Sequence, residues 1–336
     1  MTAECQGATH PITIDDVTEA ASALRCIVSR TPLLENADVN KAIGGRLLIK
    51  AECAQRTGAF KIRGAYNCIR QLTDAERLRG VITYSSGNHA QGVALAARLL
   101  GTTALIVMPG DVPSAKMAAT RSLGAEIATF ERDGENSDVV VERLRKQTGR
   151  IVVPPSGDHR VLAGSGTVAL ELHEQAENLS ANLDAVLVPC GGGGLTASTA
   201  VVMRASSPMT RVYAVEPELF DDTRRSLVAR ERVPNPTGQR TICDAIMTPI
   251  PNELTFPINL DLLAGGLVAS DDEVRQAMRF AYEHYKIVVE PGAAVGIAAV
   301  LSGRIDIAGK VIATIVTGGN IDPIRLCGLL NSETAQ

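Results

Sequence analysis

The chain has 336 residues, of which 45% are hydrophobic and 3% aromatic, with no Trp. That is enough apolar material for a substantial core of Ala, Val, Leu and Ile, as in parallel α/β sheets, and it argues against disorder. The formal charge is −4, from 33 basic and 37 acidic residues, and no basic stripe stands out, which excludes nucleic acid as a partner.

The first residues, MTAECQGATHPITIDD, lack a basic region followed by an apolar one, so no secretory signal is expected. No uncharged apolar run reaches about 18 residues, so no membrane span is expected either. The seven cysteines (Cys5, Cys26, Cys53, Cys68, Cys190, Cys243 and Cys327) are odd in number and form no CxxC pair. They fit reduced thiols in a cytoplasmic protein.

In chain order, TIDDVTEAASALRCIV reads as a helix capped by Thr13. GRLLIKAE (45–52) is a strand. GVITYSS (80–86) is strand-like and runs into GNHAQGVALAARLLG, whose apolar residues recur at helical spacing. TALIVMPG, PSAKMAATRSLG and AEIATF continue as strand, helix and strand, so residues 80–150 form a run of βα units and imply a parallel sheet. RIVVPP then restarts the pattern as a strand, and GSGTVALELHEQ reads as a helix opened by glycine. DAVLVPCGGGG is a strand ending in a glycine loop, with LTASTAVVMRA as the helix behind it and TRVYAVEPE as the next strand. SDDEVRQAMRFAYEHY is a strong helix capped by Ser270, and KVIATIVTGGN is the last strand. Residues 231–266, rich in Pro, Asn and Thr, read as a long loop over one face.

Three stretches carry chemistry. Gly191, Gly192, Gly193 and Gly194 join a buried strand to a helix, so their N–H groups can close around an anion, with phosphate the natural guest. Four consecutive glycines are entropically costly for a mere turn. The same loop, with Ala197 and with Glu216 about 20 residues on, also fits a dinucleotide fingerprint and leaves a nicotinamide oxidoreductase open. In TGAFKIRGAYN (57–67), Lys61 stands behind Phe60 with few charges nearby besides Arg63. A lysine in an apolar pocket has a lowered pKa, and its neutral amine can form a Schiff base; a snorkelling surface lysine is the alternative. SSGNHAQG (85–92) is a strand-to-helix turn that presents hydroxyls, an amide and free N–H groups to a carboxylate, or else a capped helix start.

TGAFKIRGA, SSGNHAQGVA, PCGGGGL, VEPE, VEPGAAVG and TGGN occur together in this order. Over residues 14–330 the chain closely resembles the threonine/serine dehydratase (ammonia-lyase) and serine racemase family of fold-type II pyridoxal phosphate enzymes. The resemblance implies an α/β, tryptophan synthase beta-like fold: two parallel-sheet domains with a cofactor cleft between them. The large domain would comprise 1–53 and 153–336, and a small domain, 54–152, would close over the substrate. It implies that Lys61 carries pyridoxal phosphate as a Schiff base, with Phe60 packed against the ring, and that Gly191 to Gly194 and the Leu195 N–H hold the phosphate. Asn88 would meet the ring hydroxyl and Thr317 the pyridine nitrogen, a neutral partner that leaves the ring a weaker electron sink. Ser85 and the N–H groups of Asn88 and His89 would take the substrate carboxylate. Ser86 would face Lys61 from the other side.

Glu290 lies near the cofactor in relatives, or serves here as a helix N-terminal acid. Glu216, Asp222 and the Phe220 carbonyl match a divalent cation site suited to Mg²⁺, Ca²⁺ or Mn²⁺, the alternative being a solvated acidic loop. A homodimer is expected. The chain departs from the family pattern at Ala59, at Cys243 and Ala245, and in the loop PPSGDH (154–159), which approaches the substrate side chain in relatives. It ends soon after TGGN, so no C-terminal regulatory domain is expected. The activity expected first is an ammonia-lyase on a β-hydroxy-α-amino acid such as threonine, serine or 3-hydroxyaspartate. An amino-acid racemase, an oxidoreductase and a non-catalytic metabolite binder remain as alternatives. Ser156 and Gly157 suggest room for a larger β-substituent, and His159 or Arg160 would recruit an acidic one if either pointed inward.

Overall fold

The computed structural model describes residues 10–131 and 136–331. Cys5 and most of the segment read for a secretory signal lie outside the described residues. Among the described residues, ten strands form two sheets. In chain order they are β1 (Leu33–Glu35), β2 (Arg46–Ala51), β3 (Val81–Tyr84), β4 (Ala104–Pro109), β5 (Glu126–Phe130), β6 (Ile151–Val152), β7 (Ala185–Pro189), β8 (Arg211–Pro217), β9 (Gly265–Ala269) and β10 (Val311–Val316). One sheet has the order β1-β2-β10-β7-β8-β9, the other β5-β4-β3-β6. Every pairing is parallel except that of β1 with β2. This is the α/β fold-type II arrangement. The strands read as unbroken apolar runs because both faces are covered: β4 and β7 are buried along their whole length. No described helix is long and apolar enough to cross a membrane.

β2 and β10 run side by side in register to their ends, Ala51 opposite Val316. The chain beyond them stays together. Ala59 bridges Gly318, the Phe60 N–H donates to the Thr317 carbonyl at 3.1 Å, and the Gly319 N–H donates to the Gly58 carbonyl at 2.9 Å. The TGAFK and TGGN segments are thus one short antiparallel ladder above the carboxyl ends of the strands, where open parallel sheets hold their ligands.

Local signals explain most elements. Thr13 and Ser270 each cap a helix through a capping box with the residue three positions on. Three expectations need correction. The helix expected to open at Gly164 runs His159–Asn178, capped by Asp158, whose side chain accepts from the N–H groups of Arg160 and Val161. Gly164 is there for close packing, not as a start signal: a Cβ on it would come 2.5 Å from the Arg63 carbonyl oxygen of the neighbouring Lys61–Arg70 helix. The helix read through Tyr285 ends at Phe280 and closes in a π turn, Ala281–Tyr285. The 231–266 segment is not all loop: it holds the helix Phe256–Leu262, with proline in its first turn, and the start of β9, whose two leading glycines hid it.

Gly164→Ala should therefore push the two helices apart and cost about 1–3 kcal/mol, typical of overpacking. Urea denaturation should show a lower midpoint at unchanged slope; an unchanged midpoint would mean that the helix pair is not so tightly set.

Candidate active site

Lys61 opens the helix Lys61–Arg70 directly after the ladder, and the left-handed backbone of Thr57 and Gly58 (φ 64° and 69°) turns the chain into it. Thr57 is strained there, since its side chain disfavours that region. Asn320 holds the turn by donating to the Thr57 carbonyl at 2.7 Å. Two residues beyond Lys61, Arg63 is wholly buried. Its guanidinium donates to both oxygens of Glu52 at 2.8 Å and to those of Glu171 at 2.8 and 2.9 Å. Lys50 joins the cluster through Glu171 at 2.7 Å. Arg63 is therefore an anchor for the lysine helix, a role sequence reasoning left blank.

The Lys61 ammonium lies 5.0 Å from the centre of the Phe60 ring and donates to the Pro155 carbonyl at 2.9 Å. It keeps some exposure toward the cleft, yet protein packs densely round it, and burial pulls its pKa down to about 8, with the charge of Glu290 opposing. A fraction of the amine is therefore neutral near neutral pH.

The Asn88–Leu99 helix begins at Asn88 after a Gly87 cap that contributes no side chain. Its first N–H groups, His89 among them, have no intrahelical acceptor. Ser85 lies at the end of β3, where its hydroxyl accepts from the Gly87 N–H at 3.2 Å; Ser86 sits half-buried in the same turn. The Asn88 side chain donates to Glu290 at 2.6 Å and accepts from Asn320 at 2.8 Å. Glu290 is buried ahead of the helix Pro291–Leu301, and burial raises its pKa to about 7 against the lowering effect of that Asn88 bond. The His89 ring contacts the Val153 carbonyl through Nε2 at 2.9 Å. Burial, with the Lys61 charge adding, lowers its pKa to about 3, so the ring is neutral and Nε2 carries the proton.

The glycine loop lies at the end of β7, before the helix Gly194–Ser206, which also lacks a side-chain cap. A Cβ would collide at two of the four positions: at Gly192 it would come 2.7 Å from Ser156 Oγ, and at Gly193, which is left-handed, 2.5 Å from Asn259 Nδ2. Thr255 donates to the Gly192 carbonyl at 2.7 Å and Asn259 to the Gly193 carbonyl at 3.2 Å. With these carbonyls tied back, the loop's N–H groups and the helix dipole are left for an anion. Leu195 is buried in the first turn behind the loop, and Thr317 is buried at the end of β10.

Glu216 and Asp222 stand behind this loop, not in the cleft. Glu216 is fully buried at the end of β8, and its oxygens accept from the N–H groups of Thr223 and Arg224 at 2.9 and 2.8 Å. It is unavailable to a ribose, which removes the dinucleotide reading. Asp222 is buried too, with Oδ1 held by Asn235 at 2.6 Å and Oδ2 without a partner. Burial, with the charge of Asp222 adding, raises Glu216 to about 8, and burial raises Asp222 to about 6. Arg160 pairs with Asp158 at 2.7 Å beside Arg70 and Glu19, away from Lys61, so it is not the acid-recruiting residue the sequence allowed.

Residues 25–318 match the family described as pyridoxal-phosphate dependent enzyme. The chain belongs to that family. It is 41% identical to an L-threo-3-hydroxyaspartate ammonia-lyase of Pseudomonas sp over 94% of this chain and 97% of the relative. It is 38% identical to the L-threonine ammonia-lyase of Thermotoga maritima over 95% of this chain and 78% of the relative. The solved structure of maize serine racemase superposes with a TM-score of 0.89 at 35% identity, covering 95% of this chain and 97% of that one. The residues present fit the cofactor: a desolvated amine for its aldehyde, and a side-chain-free cradle at a helix N-terminus for its phosphate.

Neither Asn320 nor the carbonyl of Pro155 was singled out from sequence. Asn320 closes the quoted TGGN motif, so a signal existed. A main-chain carbonyl leaves none.

The raised pKa of Glu290 makes a signed prediction. A carboxyl held at about 7 in the fold, against 4.5 ordinarily, favours the folded state below pH 4.5 and loses that contribution as pH rises through 7. In the cofactor-free protein, Glu290→Gln should gain stability relative to wild type between these values, read by denaturant titration at several pH values; a constant gap would deny the shift.

Proposed function

We propose that this enzyme is an ammonia-lyase that removes water from a β-hydroxy-α-amino acid and releases a 2-oxo acid and ammonia. The observation that carries this is the desolvated Lys61 amine, held between the glycine loop and the uncapped start of the Asn88–Leu99 helix. Bound pyridoxal phosphate supplies an electron sink for the pair left at Cα when its proton departs. Phe60 packs beside it, Asn88 and Thr317 orient its ring, and Gly191 to Gly194 with Leu195 hold its phosphate.

Lys61 carries the cofactor covalently until the substrate amine replaces it. The freed amine then takes the Cα proton. The Cβ–O bond breaks, hydroxide leaves with a proton as water, and a later water hydrolyses the carbon–nitrogen bond to give the 2-oxo acid and ammonia. Ser85 and the N–H groups of Asn88 and His89 bind the substrate carboxylate, a role supported by the free helix start. Ser86 takes the face opposite Lys61 and is the proton carrier a racemase would need. The large domain is residues 1–53 with 153–336; the small domain, 54–152, closes over the cleft.

Two relatives with different printed substrates, threonine and L-threo-3-hydroxyaspartate, make both candidates alongside serine. Assays of all three for 2-oxo acid release, with chiral analysis of the remaining amino acid, test the reading. Wild type should release the 2-oxo acid from at least one. Lys61→Ala should lose nearly all turnover and the borohydride-reducible cofactor linkage together. Epimerisation with no 2-oxo acid would replace the lyase by a racemase.

Glu216, Asp222 and the Phe220 carbonyl hold a divalent cation such as Mg²⁺ in this proposal. Two buried carboxylates close enough to raise each other need a positive partner, and the unpartnered Asp222 Oδ2 is a free ligand atom. EDTA should lower the melting temperature and Mg²⁺ restore it, with both effects abolished in Asp222→Asn; indifference to EDTA and Mg²⁺ would rule the cation out.

A further inference from the structure

Residues 153–158 form a strap whose two ends are pinned. At one end the Val153 carbonyl contacts the His89 ring at 2.9 Å. At the other, Asp158 caps the helix His159–Asn178. Two prolines stiffen the path between them, and Gly157, left-handed at φ 78°, turns the chain against Asn252. The middle of the strap faces the active site. The Pro155 carbonyl receives the Lys61 ammonium at 2.9 Å, and the next side chain, Ser156, lies on the glycine loop. Its Oγ is 2.7 Å from where a Cβ on Gly192 would be, and its Cβ is 3.2 Å from where one on Gly194 would be.

The sequence placed Ser156 in the pocket for the substrate side chain. The structure puts it on the phosphate cradle instead. The other polar groups against this loop are committed: Thr255 and Asn259 donate to the carbonyls of Gly192 and Gly193. Among the described residues, no hydrogen bond engages Ser156 Oγ. The side chains that close round the loop, those of Ser156, Leu162, Ile246, Thr248, Asn252, Thr255 and Asn259, are all uncharged. A dianion bound there is therefore held by main-chain N–H groups and a helix dipole, and one free hydroxyl beside them is a donor of consequence.

We propose that Ser156 is a further ligand of the cofactor's phosphate, delivered by the strap that also receives Lys61. The strap thereby links the two ends of the cofactor site: its carbonyl meets the lysine, its hydroxyl the phosphate. The proposal rests on the pyridoxal phosphate assignment, and wild type lacking a borohydride-reducible cofactor band would reveal failure of that assignment separately.

The test compares pyridoxal phosphate with pyridoxal, which lacks the phosphate, by spectral titration of wild type, Ser156→Ala and Ser156→Thr. A hydrogen bond to a charged group predicts that Ser156→Ala weakens pyridoxal phosphate by about tenfold or more and leaves pyridoxal unchanged. Ser156→Thr, which keeps the hydroxyl, should stay near wild type. Equal weakening of both compounds, no weakening of either, or a threonine variant as impaired as the alanine one would overturn the proposal. Ser156→Cys, close in shape and a weak donor, takes the place of alanine should that variant not fold, with the same outcomes.

Discussion

A buried guanidinium has to be paired, and much of this site follows from how Arg63 meets that demand. It sits on the first turn of the lysine helix, out of water, with Glu52 on one side and Glu171 on the other. Burial works against its charge, and the two carboxylates outweigh that, so its pKa is raised. Lys50, whose pKa burial lowers despite Glu171, makes the count two cations to two anions. Removing one member of such a set costs about 3–5 kcal/mol, because the remaining charge is left unpaired. The set joins β2, the turn after it, the lysine helix and the helix His159–Asn178. Charge neutrality thus fixes where the lysine helix starts, and so where the amine points.

The second constraint is covalent order. Residues 57–60 and 317–320 are far apart in sequence, yet the ladder from Gly58 to Phe60 places them on adjoining strands of backbone. Asn320 extends this contact by holding Thr57 with its amide nitrogen and Asn88 through the same group. Asn88 passes the connection to Glu290. One chain of hydrogen bonds therefore runs from the turn before the lysine to the start of the carboxylate-binding helix. A displacement at any of these residues would be felt at the others.

Motifs carried by neighbouring residues were legible. TGAFK, the four glycines and the strand-to-helix turn at SSGN could be read because each places its chemistry within a few positions, and the alternation of apolar runs with helical spacing gave both parallel sheets. What escaped depends on partners distant in sequence. Gly164 looks like a helix start until Arg63 is seen against it, and Arg63 has no reading until Glu52 and Glu171 close on it. Ser156 sits in a loop whose spacing says nothing of direction; only the fold shows it turned toward Gly192. The helix Phe256–Leu262 escaped because a short element in a polar, proline-rich stretch exists through tertiary contact, here Asn259 with the glycine loop.

Burial also sets the protonation pattern on which turnover depends. The same desolvation that lowers Lys61 to about 8 raises Glu290 to about 7, so an amine and a carboxyl that would be fully charged in water both sit near neutrality. Each favours the other's charge, which makes their titrations properties of the pair. His89 is taken out of this exchange: it is neutral far below physiological pH and spends its ring proton on Val153. Proton movement near the cleft is thereby confined to few groups. A lysine that is easily deprotonated is a better nucleophile toward a carbonyl and a better base at Cα. A histidine that cannot charge leaves its main-chain N–H as its means of binding a carboxylate. The cleft owes this division to the apolar packing of its walls, so that a change which let water in would blunt the lysine before it disturbed any contact with the substrate.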